Sequence, residues 1–165
     1  MERRKVIIVD ETDTPIGLKE RADIDPTKDT YRCTGVWITN SQDEVLIARR
    51  KLTKDVDPGK WGPAVAGTVE EGETYESNAM KEAEEELGLK NVKLDLGPKN
   101  HLESPRKYFG QWFVCKVDKA IEDFVIQEDE VEQIAWVGKK ELKKDLEANP
   151  DKYVPALSRV VDLLI

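Results

Sequence analysis

The residues of this sequence best suited to chemistry are three acidic side chains near the middle of the chain. Glu82, Glu85 and Glu86 lie in a helix-forming stretch, EAEEEL. A helix turns about 100° per residue, so positions i, i+3 and i+4 place their carboxylates on one flank. Like charges this close repel one another, and a cation would neutralise them. Because hard oxygen donors suit Mg²⁺ or Mn²⁺, the spacing predicts a divalent-metal site for a phosphate or pyrophosphate ester.

The same stretch carries the signals of a helix with a separate apolar face. That face comprises Ala79, Met80, Ala83 and Leu87. Thr74 is the predicted N-cap, and Gly88 can adopt the left-handed conformation that ends a helix. For EAEEEL taken alone, a solvated acidic surface is the alternative interpretation, since glutamate-rich helix faces are common.

A longer pattern runs through this helix and the loop before it. Its fixed positions are Gly67, Glu73, Lys81, Glu82, Ala83, Glu85, Glu86, Gly88 and Leu89. The pattern resembles the Nudix box, G-x5-E-x7-R-E-U-x-E-E-x-G-U, in which U is an aliphatic residue. The flanking segments LIARRKLTKDVDPGKW and EDEVEQIAWVGKKEL also fit the Nudix family, so the resemblance spans most of the chain.

The resemblance implies a fold, a reaction and a set of metal ligands. The implied fold is α/β, an α/β/α sandwich with a central mixed β-sheet. The implied reaction is hydrolysis of the pyrophosphate bond in a nucleoside diphosphate linked to another group, with Mg²⁺ or Mn²⁺ as cofactor. Glu82, Glu85 and Glu86 would bind the metal. The carbonyl of Gly67 would join them, because a glycine lets the backbone approach an ion closely.

Two positions depart from the family pattern. The family usually has arginine where this chain has Lys81, and that arginine pairs with the residue matching Glu73. Lysine keeps the positive charge but lacks the planar guanidinium of arginine, which can donate two parallel hydrogen bonds. We therefore expect a looser link to Glu73 without loss of catalytic activity. Ala66 stands where many members have the first glycine of a Gly-Gly pair, which would narrow the substrates that approach the backbone there.

Hydrolysis also needs a group that activates water. In the family this base is a box glutamate, here Glu82 or Glu85, or a residue from a separate loop. Glu130, in the acidic run QEDEVEQIAWV, fits the loop position, and Glu128 is its nearest rival. A charged loop facing water is the alternative interpretation of this run.

Basic and aromatic residues before the box are candidates for substrate binding. Arg49, Arg50 and Lys54 stand at the end of a predicted strand and in the loop that follows, where they could hold phosphate oxygens. Strand alternation is expected to send only one of the two arginines toward the cleft. Trp61 could stack on a base, although a place in the core is favoured for an indole.

Composition bounds the class of protein. The 165 residues are 39% hydrophobic and carry a net charge of -8, which predicts one domain over 1–165, with 1–28 as an appended N-terminal strand or hairpin. The acidity argues against nucleic acid as a partner. The apolar run of MERRKVIIVDE is too short for a signal peptide or a membrane span, so a cytoplasmic protein is expected. Cys33 and Cys115 lack zinc-site spacing and are expected to be reduced core thiols.

The hydrophobic pattern predicts alternating strands and helices. Strands are predicted at Lys5–Val9, Tyr31–Thr39, Val45–Arg50, Val92–Leu96, Tyr108–Val117 and Gln133–Val137. Besides the acidic helix, helices are predicted at Lys139–Leu146 and Pro155–Leu164. Trp37, Trp112 and Trp136 are expected in the core, and His101 in a polar surface loop. A homodimer is compatible with the sequence, which does not fix the oligomeric state.

Two other functions fit parts of the sequence. VDETDTPIG and the LIARRKLTKDVDPGKW run are similar to type I isopentenyl diphosphate isomerase, which shares the fold. That enzyme needs a catalytic cysteine and several histidine ligands, whereas the corresponding segment here reads PAVAG and the chain has one histidine. A noncatalytic nucleotide-binding module is the other alternative. Such modules usually lose box glutamates, and this chain keeps them.

Overall fold

A computed structural model describes residues 4–165 of the chain. Over that range the backbone forms one mixed β-sheet and three α-helices. The strands are β1 (Val6–Val9), β2 (Pro15–Lys19), β3 (Thr30–Thr39), β4 (Glu44–Arg50), β5 (Trp61–Pro63), β6 (Val65–Thr68), β7 (Asp95–Leu102), β8 (Lys107–Lys116) and β9 (Val131–Gly138). The helices are α1 (Tyr75–Leu87), α2 (Lys139–Ala148) and α3 (Pro155–Leu164).

Strand β3 organises the sheet. Along its whole length it pairs in parallel with β8, from Thr30 opposite Lys107 to Thr39 opposite Lys116. Its other edge is shared by antiparallel partners, first β1, then β6 and finally β4. β7 extends the sheet beyond β8, and β9 and β5 pair with β4. The sheet is therefore mixed, as the family resemblance implied.

Side-chain alternation along the central strands fills two cores. Val36 and Ile38 face the buried side of α1, whereas Trp37 between them faces the cluster formed by α2 and α3. Successive residues of a strand point to opposite faces, so one strand supplies both layers. The α/β/α sandwich is confirmed. None of the helices within residues 4–165 is long and apolar enough to cross a membrane.

The ends of α1 are fixed by the residues that the sequence indicated. The Thr74 side chain accepts a hydrogen bond from the backbone N–H of Ser77 at 3.1 Å, and the Ser77 hydroxyl accepts one from the N–H of Thr74 at 2.9 Å. Gly88 ends the helix with φ 67°, in the left-handed region. Both predicted helix ends are confirmed.

The predicted strand Val92–Leu96 is wrong in its placement, because β7 begins only at Asp95 and runs to Leu102. The segment GPKNH, which contains both glycine and proline, pairs with β8 across an irregular register between Leu96 and Lys99. There the Gln111 amide donates hydrogen bonds to the carbonyls of Gly97 and Pro98 at 3.0 and 3.3 Å. A buried side chain thus satisfies carbonyls that the ladder misses. His101 lies in this strand, exposed and stacked on Phe109, rather than in a loop.

Strands β1 and β2 form an antiparallel hairpin whose turn is tied to the rest of the fold through Asp13. The Asp13 carboxylate accepts hydrogen bonds from the Arg32 guanidinium at 2.7 Å and the Tyr75 hydroxyl at 2.8 Å, and it forms an ion pair with Lys99. These partners belong to β3, α1 and β7. Burial alone would raise the pKa of Asp13, but the three donors outweigh it and hold the pKa below the ordinary 3.8.

Three tryptophans and two cysteines were expected in the core, and the structure confirms this expectation in part. Trp37 and Trp112 are buried in the α2–α3 core, and Trp136 is half-buried beside Phe124. Cys115 is buried, whereas Cys33 is half-buried; both are free thiols. Burial raises the pKa of each thiol, so neither is a thiolate at neutral pH.

Candidate active site

Helix α1 places Glu82 against strand β6 at Gly67. A side chain at Gly67 would collide with Glu82, since an ideal Cβ there would lie 2.5 Å from Glu82 Cγ and 2.7 Å from Oε1. The glycine is therefore required by close approach, and its φ is not in the left-handed region. The contact puts the carboxylate of Glu82 beside the backbone of β6.

Glu86 follows one helical turn later and contacts the neighbouring residue of β6. The backbone N–H of Ala66 donates to Glu86 Oε2 at 3.4 Å, a long hydrogen bond. Burial raises the pKa of Glu86 well above 4.5, and the charges of Glu82 and Glu130 raise it further. Among residues 4–165 no basic side chain forms an ion pair with Glu86.

The other two carboxylates of the acidic flank differ in exposure. Glu82 is largely buried, and that burial raises its pKa to about 7, with Lys81 opposing the shift and Glu85 adding to it. Glu85 itself is exposed on the helix. A carboxylate whose pKa is raised by burial and like charges is ionised only at a cost, which a nearby cation would remove.

Lys81 holds the loop before the helix in place. Its ammonium lies 3.1 Å from Glu73 Oε2 and 3.9 Å from Glu70. The Glu73 carboxylate also accepts hydrogen bonds from the backbone N–H of Glu70 at 3.0 Å and from the side-chain amide of Asn78 at 3.3 Å. Lysine therefore keeps the link to Glu73, because its single ammonium lies 3.1 and 3.2 Å from the two oxygens of that carboxylate. Its ammonium also lies 3.7 Å from Glu82, so it partly neutralises one carboxylate of the acidic flank.

The loop that carries Glu130 is attached to the end of α1 by backbone hydrogen bonds. Val125 donates to the carbonyl of Leu87 at 3.1 Å, and Gln127 donates to the carbonyl of Glu86 at 3.1 Å. Glu130 thereby enters the same cleft as Glu86, and its Oε2 lies 2.5 Å from Lys54 Nζ. Glu128 is exposed and does not line this cleft.

The cleft between these acidic residues and strand β4 has a volume of about 500 Å³. Arg49, Arg50 and Lys54 all line it. The expectation that only one of the two arginines faces the cleft is not met, because the pairing of β4 with β9 shifts register between them and breaks the alternation. Each guanidinium also donates to a carbonyl of the following loop, Arg49 to Gly59 at 3.0 Å and Arg50 to Val56 at 2.9 Å.

Trp61 does not line this cleft. It packs with the α2–α3 core and lies beside Tyr153, whereas the next residues, Gly62 and Pro63, line the cleft. The substrate-stacking role considered for Trp61 is thus corrected to the core role.

The acidic flank offers oxygen donors, and the chemistry of those donors fits a divalent cation. Glu82 and Glu86 converge on adjacent residues of β6, and neither has a full cationic partner. Within residues 4–165 no three carboxylate, imidazole or thiol groups already form a metal-binding arrangement. Mg²⁺ is usually held by one or two carboxylates, waters and substrate phosphates rather than by a complete protein cage.

Sequence reasoning missed several residues around the cleft. Arg106 follows β7 and borders the acidic cleft as well as a second cavity, which is lined by Tyr31, Asn100 and Tyr108. These residues come from three separate strands and a loop and share no motif. The parallel pairing of β3 with β8, which sets Tyr31 opposite Tyr108, is the signal that brings them together.

Comparison with known proteins identifies the family. A family model described as the NUDIX domain matches residues 29–157. An uncharacterised Nudix hydrolase of Yersinia pestis is 28% identical over 96% of this chain and 84% of its own length. Another, from Pseudomonas aeruginosa, is 33% identical over 78% of this chain and 75% of its own length.

Similarity extends to a solved structure and to a second named activity. A crystal structure from Deinococcus radiodurans superimposes with a TM-score of 0.84, covers 96% of this chain and 97% of that chain, and is 22% identical, which supports the fold. A relative from Klebsiella pneumoniae named isopentenyl-diphosphate Delta-isomerase is 29% identical over 94% of this chain and 87% of its own length.

Proposed function

The chain belongs to the Nudix family, and from this premise we propose that it hydrolyses the pyrophosphate bond of a nucleoside diphosphate linked to another group. Membership gives the reaction class, a hydrolase that acts on pyrophosphate bonds of small molecules. The observation that carries the proposal is the pair Glu82 and Glu86, two desolvated carboxylates with raised pKa values beside a cleft whose opposite wall is basic. A phosphoanhydride would complement the basic wall, and a divalent cation held by the carboxylates would complement the acidic one.

Glu82, Glu85 and Glu86, with the carbonyl of Gly67, are the proposed ligands of Mg²⁺ or Mn²⁺. Held by these residues, a divalent cation would supply positive charge to stabilise phosphate oxygens and to make a water molecule more acidic. The raised pKa values of Glu82 and Glu86 support this assignment, because a divalent cation is the partner that the acidic flank lacks.

The side chains of the cleft then have distinct roles in the proposed reaction. Glu130 accepts a proton from the attacking water, whose oxygen forms a bond to phosphorus as the bridging P–O bond breaks. Lys54, in contact with Glu130, holds that carboxylate in position in the cleft. Arg49 and Arg50 bind phosphate oxygens on the opposite wall. The products are two phosphorylated fragments, with the bridging electron pair on the leaving phosphate.

The decisive experiment is phosphate-bond cleavage across a panel of nucleoside triphosphates, dinucleoside polyphosphates and nucleotide sugars with Mg²⁺ or Mn²⁺. Glu86→Gln is expected to lower kcat by about 10²–10³-fold on any member that the native chain cleaves. Glu84→Gln is the matched control, because Glu84 is exposed on the same helix and paired with Lys90. An inactive native chain, or equal losses in the two variants, would overturn the proposal.

The assignment of the base has its own test. Glu130→Gln should lower kcat by about 10²-fold or more, whereas Glu128→Gln should leave kcat unchanged. If Glu130→Gln keeps the native kcat, the base is Glu82 or Glu85 instead. Metal affinity measured by calorimetry should be preserved in Glu130→Gln, which separates this role from that of a ligand.

The relative named as an isomerase makes isomerase activity the second candidate. Its chemistry would convert isopentenyl diphosphate without releasing phosphate. The single histidine of the chain, His101, is exposed on β7 and stacked on Phe109, so a set of histidine ligands cannot form. Isomer formation without phosphate release would favour this candidate. Tight nucleotide binding without any turnover would favour the noncatalytic module.

A further inference from the structure

Two buried polar side chains form a hydrogen bond between helix α1 and the sheet. Among residues 4–165, the buried residues with a hydroxyl or amide side chain, tyrosine apart, are Thr34, Asn78 and Gln111. The Thr34 hydroxyl on β3 donates to Oδ1 of Asn78 on α1. Such a pair is little more stabilising than apolar side chains of the same shape, but its bonds have fixed directions. It is therefore suited to hold two elements in one relative position.

The Asn78 amide makes two further hydrogen bonds, and together the three bonds fix its orientation. Nδ2 donates to the carbonyl of Thr68 at 3.0 Å and to Oε2 of Glu73 at 3.3 Å. A carbonyl and an ionised carboxylate are acceptors only, so the NH₂ group has to face them and Oδ1 has to face the Thr34 hydroxyl. One side chain of α1 is thus connected to β3, to β6 and to the loop before the helix.

These bonds lie directly beside the acidic flank. Asn78, Glu82 and Glu86 follow one another at intervals of four residues, so they share one side of α1. Their contacts fall on three consecutive residues of β6 in reverse order, Asn78 at Thr68, Glu82 at Gly67 and Glu86 at Ala66. Thr34 stands opposite Gly67 in the pairing of β3 with β6. The amide therefore lies one helical turn before the first proposed metal ligand of the helix.

Without a cation, the carboxylates of this flank are poorly suited to hold α1 against β6. The charge of Glu82 opposes ionisation of Glu86, and the hydrogen bond from Ala66 to Glu86 is 3.4 Å long. The bonds that Asn78 makes with Thr34 and Thr68 join uncharged groups and require no cation. They keep the two elements together before metal binding, so the ligands are already close to one another.

We propose that Asn78, oriented by Thr34, is a positioning residue for the proposed metal ligands. Its bonds fix the rotation and the axial position of α1 against β6, and thereby hold Glu82 and Glu86 beside the backbone of Gly67. The amide is not itself a ligand, because both of its polar atoms already have partners within the protein. This inference rests on the proposed function, because it concerns the cation that the proposed reaction requires.

The test measures cation binding in the absence of substrate. Calorimetry with Mn²⁺ compares the native chain with Asn78→Leu, in which the side chain has a similar volume and no polar atom. The affinity for Mn²⁺ should fall by about 10–100-fold, the loss typical when a group that orients metal ligands is removed. An affinity within about threefold of the native value would overturn the assignment.

Gln111→Leu is the matched control. It removes another buried amide, whose hydrogen bonds go to the carbonyls of Gly97 and Pro98 on β7 and of Trp112 rather than to α1. This variant should lower Tm and leave the affinity for Mn²⁺ unchanged. If Gln111→Leu weakens Mn²⁺ binding as much as Asn78→Leu does, the effect is one of general stability and the positioning role is wrong.

Variants of Thr34 test the same bond with a smaller change, and they carry the test if Asn78→Leu does not fold. Thr34→Val keeps the shape and removes the hydroxyl, so Mn²⁺ should bind about threefold or more weakly. Thr34→Ser keeps the hydroxyl and should bind Mn²⁺ like the native chain. The double variant Thr34→Val/Asn78→Leu should bind no more weakly than Asn78→Leu, because the two side chains act as a unit. Equal affinities of Thr34→Val and Thr34→Ser would overturn the proposal.

Turnover gives a second reading of the same role. Asn78→Leu should be slower than the native chain at low Mn²⁺, and higher Mn²⁺ should restore most of kcat. The Mn²⁺ concentration for half-maximal turnover should rise by the same factor as the calorimetric dissociation constant. A loss of kcat that is equal at every Mn²⁺ concentration would contradict a role in cation binding.

Failure of this proposal can be told apart from failure of the hydrolase. Glu86-dependent cleavage together with native Mn²⁺ affinity in Asn78→Leu would overturn the role of Asn78 and leave the proposed function unaffected. Asn78-dependent binding of Mn²⁺ without cleavage of any panel member would support the role of Asn78 and overturn the proposed function. A native chain that binds neither Mn²⁺ nor Mg²⁺ would overturn both.

Discussion

Two buried acidic regions of this molecule have opposite electrostatic surroundings. Asp13, in the turn after β1, is surrounded by Arg32, Lys99 and Tyr75, and the pKa of its carboxyl is lowered. Glu86, on the inner flank of α1, is accompanied by other carboxylates and one backbone N–H, and its pKa is raised. The same functional group thus has its charge stabilised by the protein at one place and left uncompensated at the other.

The difference separates a structural carboxylate from a functional one. A buried charge with internal partners ties elements together, as Asp13 ties the hairpin to β3, α1 and β7. A buried charge without them destabilises the protein unless an external cation binds. Residues kept at such a cost mark functional sites, because stability alone would favour their replacement.

The largest expected effect comes from removing the uncompensated charge. Glu86→Gln should reduce kcat by about 10²–10³-fold, yet raise the free energy of unfolding of the metal-free protein by about 1 kcal/mol at pH 8, because the amide is neutral. Steady-state kinetics and denaturant unfolding in EDTA give the two values. If Glu86→Gln lost stability as well as activity, Glu86 would be a structural carboxylate like Asp13.

Removing the compensated charge should have the opposite outcome. Asp13→Asn leaves Arg32 and Lys99 without their carboxylate and should lower the free energy of unfolding by about 2–3 kcal/mol, or Tm by roughly 6–10 °C. Asp95→Asn is the control, since Asp95 and Lys93 form a largely exposed pair 3.6 Å apart. Equal, small effects of the two substitutions on Tm would remove the distinction.

The pH dependence of stability should differ in sign between the two regions. The pKa of Glu82 rises from 4.5 to about 7 on folding, so the native state favours the protonated form and metal-free stability should fall by on the order of 3 kcal/mol as pH rises from 4.5 through 7. The lowered pKa of Asp13 contributes stability above pH 3.8 that is lost as pH falls further.

Thermal unfolding in EDTA between pH 3 and pH 9 would measure both trends. Glu82→Gln should flatten the decline above pH 4.5 while keeping the loss of stability below pH 3.8. Adding Mg²⁺ should raise Tm more at pH 8 than at pH 5, because ionised carboxylates bind the cation. A Tm that does not respond to Mg²⁺ at either pH would contradict the proposed metal site.

The smallest expected effect concerns Lys81. Its ammonium forms an ion pair with Glu73 at 3.1 Å and also lies 3.7 Å from Glu82 of the acidic flank. Lys81→Arg should keep the link to Glu73 and change stability by less than about 0.5 kcal/mol. Lys81→Met removes that link and should cost about 1 kcal/mol, measured by denaturant unfolding, with a smaller loss of kcat than Glu86→Gln. A loss of kcat as large as that of Glu86→Gln would instead give Lys81 a direct part in the chemistry.

Much of the fold could be predicted because its signals are local. Thr74 and Gly88 set the ends of α1 through capping geometry, and the β-rich run around Trp37 predicted a strand of the central sheet with that indole in the core. The strand predicted at Val92–Leu96 was misplaced and His101 was wrongly assigned to a loop, because the pairing of this segment involves Gln111, which is distant in sequence. The two arginines before the cleft were misjudged for a similar reason, since the register shift is a property of the β4–β9 pair.

The sequence by itself determined the acidic flank, because three glutamates at i, i+3 and i+4 share a side of any helix. Only the tertiary structure decided the environment of those carboxylates. Strand β6, at Gly67, shields Glu82 from water, and the loop attached to the end of α1 brings Glu130 to the same cleft. Helical geometry acts within a few residues, whereas burial and charge pairing depend on chain segments that meet only after folding.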